Sequence, residues 1–153
     1  MDALHIVQSE AENLLREMGF PAEIVATSMS ERSYFVRVTV NDGSKLLIGQ
    51  HGVALSALQY IMRSILTRKL KERVDVIVDV NGYWEEKRPL LEREAAEAEE
   101  EVLRTGRAVI LRPMLPYERK VIHTFLVGRK RVATESSGHG EGRKVIVKAL
   151  SDM

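Results

Sequence analysis

Gly49-Gln50-His51-Gly52 lies between two stretches of helical periodicity and restricts the fold more than any other segment of the chain. Paired glycines allow a tight turn that residues carrying a Cβ resist. The helix reading out of the turn offers unpaired N–H groups and a positive dipole end, a setting suited to phosphate. The pattern is weak by itself, because glycines often join helices, and its weight comes from its surroundings.

Ahead of the turn, Leu4, Val7, Ala11, Leu14, Leu15 and Met18 keep the three-four spacing of an amphipathic helix over 3–18. Gly19 and Pro21 stop it. A strand is predicted over 24–29 and a clearer one over 34–40, where Tyr34, Val36, Val38 and Val40 alternate with Phe35, Arg37 and Thr39. Asn41 to Gly43 is a turn, and Ser44 is the expected N-cap of a short helix over 45–48. Beyond the glycines, Leu55, Leu58, Ile61, Met62, Ile65 and Leu66 mark a long helix. Valines 74, 76, 78 and 80 then mark a third strand, with Asp75 and Asp79 on its exposed polar face. The first unit reads helix, strand, strand, short helix, G-x-x-G, helix, strand, and ends near Gly82.

Residues 83–105 are rich in Glu and Ala, with Leu90, Leu91, Ala95, Ala98, Val102 and Leu103 on a helical stripe. Proline tolerates a first helical turn and disrupts an interior, so Pro89 predicts that the main helix begins near Arg88 or bends there. The run Glu97 to Glu101 reads as a solvated face. After Gly106 come a short extended segment over 109–111, a helix over 117–127, and strands over 132–135 and 145–149. A glycine-rich loop over 136–142, expected to be mobile, joins the last two.

Charge is partitioned along the chain. The net balance is −4 over 1–44, +5 over 45–73, −6 over 74–106 and +6 over 107–153. Two basic blocks on either side of an acidic one suggest two anion-facing surfaces joined by a solvated spacer. With no cysteine, disulfides and thiolate metal sites are excluded. No apolar run approaches the roughly 20 residues of a membrane helix, and the opening residues lack a signal-peptide pattern. A cytoplasmic location is therefore expected. His5, His51, His123 and His139 are scattered, with no pair at zinc-ligand spacing. There is no P-loop and no dinucleotide fingerprint. No catalytic residue, metal or cofactor is expected.

The order over 1–82, with G-x-x-G before the longer helix, resembles the type II KH domain, a binder of single-stranded nucleic acid. Arg112-Pro113-Met114-Leu115-Pro116-Tyr117-Glu118-Arg119-Lys120-Val121-Ile122-His123 resembles the Arg-x-x-x-His signature of the R-three-H domain. Ser137-Gly138 and Arg143-Lys144-Val145 are similar to the loop and closing strand of that domain. Together these resemble the bacterial Jag family of SpoIIIJ-associated proteins, also called KhpB or EloR. The resemblance implies an α+β protein with a KH domain over 1–82, an acidic linker helix over 83–105 and an R-three-H domain over 106–153. Many Jag proteins begin with a further small domain; functions tied to it are not carried over. Members also often place basic residues inside the G-x-x-G, where this chain has Gln50 and His51.

In the KH reading, Gly49 and Gly52 permit close approach of a sugar-phosphate backbone, Gln50 and His51 donate to phosphate, and Lys45 and Arg63 are nearby cations. In the second unit Val121, Ile122, Phe125 and Leu126 centre the buried helix face at about 100° per residue. Arg119 and His123 then fall on its flank, where they can grip an anion. Arg112, Lys120, Arg129, Lys130, Arg131, Arg143 and Lys144 extend the positive surface. Histidine is the side chain that ordinarily gains charge between pH 5 and 8, so binding through His51 or His123 would tighten in mildly acidic buffer. Single-stranded RNA, or single-stranded DNA, is the expected ligand. The resemblance adds a role in post-transcriptional regulation linked to cell envelope growth or division, and a second small KH protein or self-association as partner. The alternative reading is a protein–protein adaptor that uses the KH surface, with nucleic-acid binding incidental.

Overall fold

The computed structural model describes residues 2–150 and divides into two compact units, 1–84 and 85–153. In the first unit the order is α1 (Ala3–Glu17), β1 (Glu23–Ser30), β2 (Ser33–Thr39), α2 (Ser44–Ile48), a 3₁₀ turn (Gln50–Gly52), α3 (Val53–Leu70) and β3 (Asp75–Val80). The sheet order is β1-β2-β3, with β1 antiparallel and β3 parallel to β2. Parallel neighbours need a long crossover, and α2 and α3 supply it. Val7, Ala11 and Leu15 of α1 and Leu55, Leu58, Met62 and Leu66 of α3 are buried. So are Tyr34, Val36 and Val38 of β2 and Val76, Val78 and Val80 of β3. Each side chain of this size contributes about 1.5–3 kcal/mol when fully withdrawn from water.

Helix side chains seal both sheet edges. Gln8 Oε1 accepts the Ala26 N–H at 2.8 Å, and Gln8 Nε2 donates to the Ile24 carbonyl at 2.7 Å. On β3, the Val78 N–H donates to Gln59 Oε1 at 2.9 Å, and the Val78 carbonyl accepts Trp84 Nε1 at 2.9 Å. The Val76 N–H donates to Asp75 Oδ1 at 3.2 Å.

Three local expectations change here. Ser44 is the first residue of α2 rather than its cap, because the Gly43 carbonyl already accepts the Leu46 and Leu47 N–H groups at 3.1 and 3.3 Å. Asp79 is buried rather than on an exposed polar face: its carboxylate accepts the Gly82 and Trp84 N–H groups at 3.0 and 3.1 Å and so holds the start of the next helix. That helix, α4 (Tyr83–Thr105), begins before Pro89 and carries it in its interior. The Asp79 anchor sets the start, and the proline leaves one carbonyl without its helical donor.

The second unit contains most of α4, β4 (Val109–Ile110), α5 (Pro116–Arg129), β5 (Val132–Ser137) and β6 (Lys144–Ala149), with sheet order β4-β6-β5. Leu91, Ala95, Ala98 and Val102 of α4 share one core with Val121, Ile122 and Leu126 of α5 and with Val132, Val145 and Val147. The acidic helix is thus a structural wall of this unit. β5 extends to Ser137, and a 3₁₀ turn over Gly140–Gly142 orders part of the glycine-rich segment, so the loop is shorter than its composition suggests.

Candidate nucleic-acid interface

In the second unit the cations separate into paired and unpaired groups. Arg112 lies 3.2 Å from Glu94 and 3.6 Å from Glu118. Glu118 is buried and also accepts the Leu115 N–H at 3.0 Å, closing the first turn of α5 beside Pro116. Arg129 grips Glu99 through Nε at 3.0 and 3.1 Å and through a further nitrogen at 2.8 Å. Arg131 Nη1 donates to Glu99 at 3.1 Å and to Glu100 at 3.2 Å. Glu99 is 0% exposed, so the acidic run is not wholly a solvated face. Its hydrogen bond and its charge push the Arg129 pKa up. Arg112, Arg129 and Arg131 therefore compensate carboxylates within the unit instead of adding to an open positive surface.

Arg119, Lys120, His123, Lys130, Arg143 and Lys144 join no ion pair among the described residues. Arg119 and His123 are one helical turn apart on α5. Arg119 is half-buried and donates Nε to the Met114 carbonyl at 3.3 Å. Burial and then the neighbouring Arg143 guanidinium lower its pKa. Arg143 Nη1 donates to the Gly138 carbonyl at 3.1 Å, which fixes it against the hairpin loop. His123 Nδ1 hydrogen-bonds Thr134 Oγ1 on β5, which leaves Nε2 to face a ligand. Lys144 alternates with buried Val145 on β6 and belongs to the other sheet face. Lys120 and Lys130 are exposed, Lys130 at the left-handed end of α5. The site is thus a pair of converging guanidiniums with an oriented imidazole nearby. Two like charges held close without a carboxylate favour a shared anion.

The glycine turn of the first unit is built differently. Gly49 has φ 72° and ψ −179°, a region open essentially to glycine alone. A Cβ there would lie 2.7 Å from Ala54 Cβ and 2.8 Å from Ala54 N. Gly52, at φ 82°, would place a Cβ 3.0 Å from the Tyr83 ring. Packing within the unit accounts for both glycines. His51 takes the left-handed conformation at φ 55°, and the Gln50 and His51 side chains are exposed beside Lys45. Leu46 and Val53, 75% and 57% exposed, flank the turn. Arg63 lies ten residues along α3 from Val53, about 15 Å away, and pairs with Asp75 at 3.4 Å. It is therefore not a group of the turn itself.

Sequence reasoning missed Thr134 and Tyr83, whose roles depend on contacts between distant elements. It also missed Glu99, for which a signal existed: it falls one turn beyond Ala95 on the buried stripe.

The helix, hairpin and cation placement of the second unit define the R-three-H domain class, whose family model matches residues 90–149. The matched stretch begins inside α4 and so takes in the helix that walls the core. The chain is similar to three bacterial proteins named RNA-binding protein KhpB. It is 37% identical over 106 residues to that of Clostridium symbiosum, covering 69% of this chain and 48% of the relative. The values are 33% over 134 residues for Lactiplantibacillus plantarum, covering 88% and 41%. For Bacillus subtilis they are 30% over 125 residues, covering 80% and 60%. The chain spans about half the length of the relatives it matches. No helix among the described residues is long and apolar enough to cross a membrane. No group of three or more His, Asp or Glu among them is placed to hold a metal.

Proposed function

We propose that this chain binds single-stranded RNA, with its main phosphate grip at Arg119, Arg143 and His123. The observation carrying the reading is that two neighbouring guanidiniums meet no carboxylate while other cations of the unit do. The names of the similar proteins support RNA as the polyanion. Unit 1 acts as a type II KH-like second contact, a reading supported by its element order and by the parallel β2–β3 pair. Gln50 and His51 donate there to phosphate, and Gly49 and Gly52 hold the turn that presents them. Two weak contacts on one chain raise effective concentration for a strand that reaches both. The protein acts as a cytoplasmic post-transcriptional regulator, in processes tied to envelope growth or division, and catalyses no reaction.

The test is the double variant Arg119→Ala/Arg143→Ala, titrated with a fluorescent single-stranded RNA at several salt concentrations. Charge-assisted hydrogen bonds contribute about 1.5–3 kcal/mol each, so the pair should cost about 30-fold or more in affinity. The slope of log affinity against log salt should shrink by about 0.7 per lost phosphate contact, with the melting temperature held. Unchanged affinity and slope would overturn the assignment.

A second reading has its own observation. Leu46, Val53, Tyr60 and Ile61 are exposed at 75%, 57%, 68% and 46%, an apolar surface of the kind that mediates protein contacts. It suits an adaptor role in which unit 1 meets a second KH protein or another copy of this chain. Binding to RNA that is insensitive to salt, together with self-association lost on Tyr60→Lys, would favour it.

A further inference from the structure

At the end of α3 remote from the glycine turn, Arg32, Arg63, Arg73, Val74 and Asp75 line an open cleft of about 390 Å³. Arg63 follows Gln59 by one helical turn, on the side of α3 that faces β3. Gln59 meets Val78, and Arg63 meets Asp75 at 3.4 Å, so both lie along one seam between α3 and β3. Arg32, just before β2, pairs weakly with Glu72 at 3.5 Å. Arg73 joins no ion pair among the described residues. Three guanidiniums therefore face two carboxylates, with one positive charge in excess.

The local pairs also leave donors unused. Arg63 reaches Asp75 through Nη2, while its Nε is buried with no hydrogen-bond partner. A buried donor of a charged group without an acceptor is rare and calls for a ligand. Guanidinium forks match oxyanions in plane and in charge, phosphate above all.

We propose that Arg32, Arg63 and Arg73 form a phosphate-binding subsite for the backbone of single-stranded RNA at this end of the seam. The inference rests on the RNA-binding reading and lengthens the footprint of unit 1. The distance from Val53 to Arg63 along α3 is about 15 Å at 1.5 Å per residue. Stacked nucleotides rise about 3.4 Å each along one strand, so some four to five nucleotides separate the turn from the subsite. A strand held at Gln50 and His51 thus delivers a later phosphate to the arginine cluster. Glu72 and Asp75 are the groups that phosphate must displace or share.

The experiment compares the full chain with Arg32→Gln/Arg73→Gln, both exposed substitutions that spare the packed Arg63. Oligonucleotides of about four and about twelve nucleotides are titrated at several salt concentrations. Affinity for the longer strand should fall about tenfold, and its salt slope should shrink by about 1.4, two contacts at roughly 0.7 each. Affinity for the short strand should hold, while Glu72→Gln should tighten the longer one by about threefold. Unchanged affinity and slope for the longer RNA overturn the subsite and leave the RNA reading standing. If the unaltered chain ignores RNA altogether, that reading fails, and inorganic phosphate becomes the probe. An Arg63 Nε–H resonance that moves on phosphate titration, and stays still in the double variant with chloride as control, supports the subsite. A resonance indifferent to phosphate overturns it.

Discussion

The glycine turn of unit 1 and the Arg119–Arg143 site of unit 2 solve the approach of a polyanion by opposite means. At the turn, backbone geometry does the work: both glycines are demanded by Ala54 and Tyr83, and the side chains they present are neutral or weakly basic. At the second site, charge does the work: two guanidiniums converge and the imidazole is aimed by Thr134. A count of lysines and arginines does not locate an anion site. What matters is which cations the fold has left uncompensated.

The widest separation of the two mechanisms should come from Gly49→Ala. The substitution forces a glycine-only conformation on alanine and drives its Cβ into Ala54. Denaturant unfolding should show unit 1 weakened by about 3 kcal/mol, with the unit 2 transition unmoved. A loss confined to RNA affinity, at full stability, would mean the glycine serves the ligand alone.

Glu99→Ala probes the other side of the contrast. It leaves Arg129 and Arg131 without their buried carboxylate. Removing one partner of a fully buried pair costs about 3–5 kcal/mol. Both arginines here reach solvent, so about 2 kcal/mol is expected, read from the midpoint of the unit 2 transition. Stability equal to the parent would show that the acidic helix is held by its apolar stripe alone.

A smaller effect is expected from Gln50→Asp/His51→Asp. Two like charges beside the strand should cut affinity by about tenfold, less than the loss from the paired arginine substitutions. A larger loss than at Arg119 and Arg143 would reverse the ranking of the two sites. The smallest change belongs to Thr134→Val, which removes the hydroxyl that orients His123. Affinity should drop about threefold, in the range of one neutral hydrogen bond. Nitrogen NMR should show the His123 tautomer balance altered; an unaltered ring would remove Thr134 from the site.

Much of the fold was legible because strand alternation and helix spacing are properties of neighbouring residues. Tyr34, Val36, Val38 and Val40 are buried as their alternation requires, and Val121, Ile122 and Leu126 are buried on α5. Errors fell where distant partners decide. Asp79 looked like a solvated strand residue because the N–H groups it holds belong to the next helix. Pro89 argued against a continuous helix, yet the Asp79 anchor and the apolar stripe outweigh one lost hydrogen bond. At the candidate site, the i, i+4 relation of Arg119 and His123 was readable. The sorting of Arg112, Arg129 and Arg131 away from it was not, since their carboxylates lie 18 or more residues away.

The side-chain seals on β1 and β3 bear on behaviour in crowded conditions. Gln8, Gln59 and Trp84 occupy amide groups that a neighbouring strand would otherwise use as a template. A protein gathered at high local density along a polyanion brings many copies of its sheet close together. With those rails already capped, the copies can crowd without zipping into fibres.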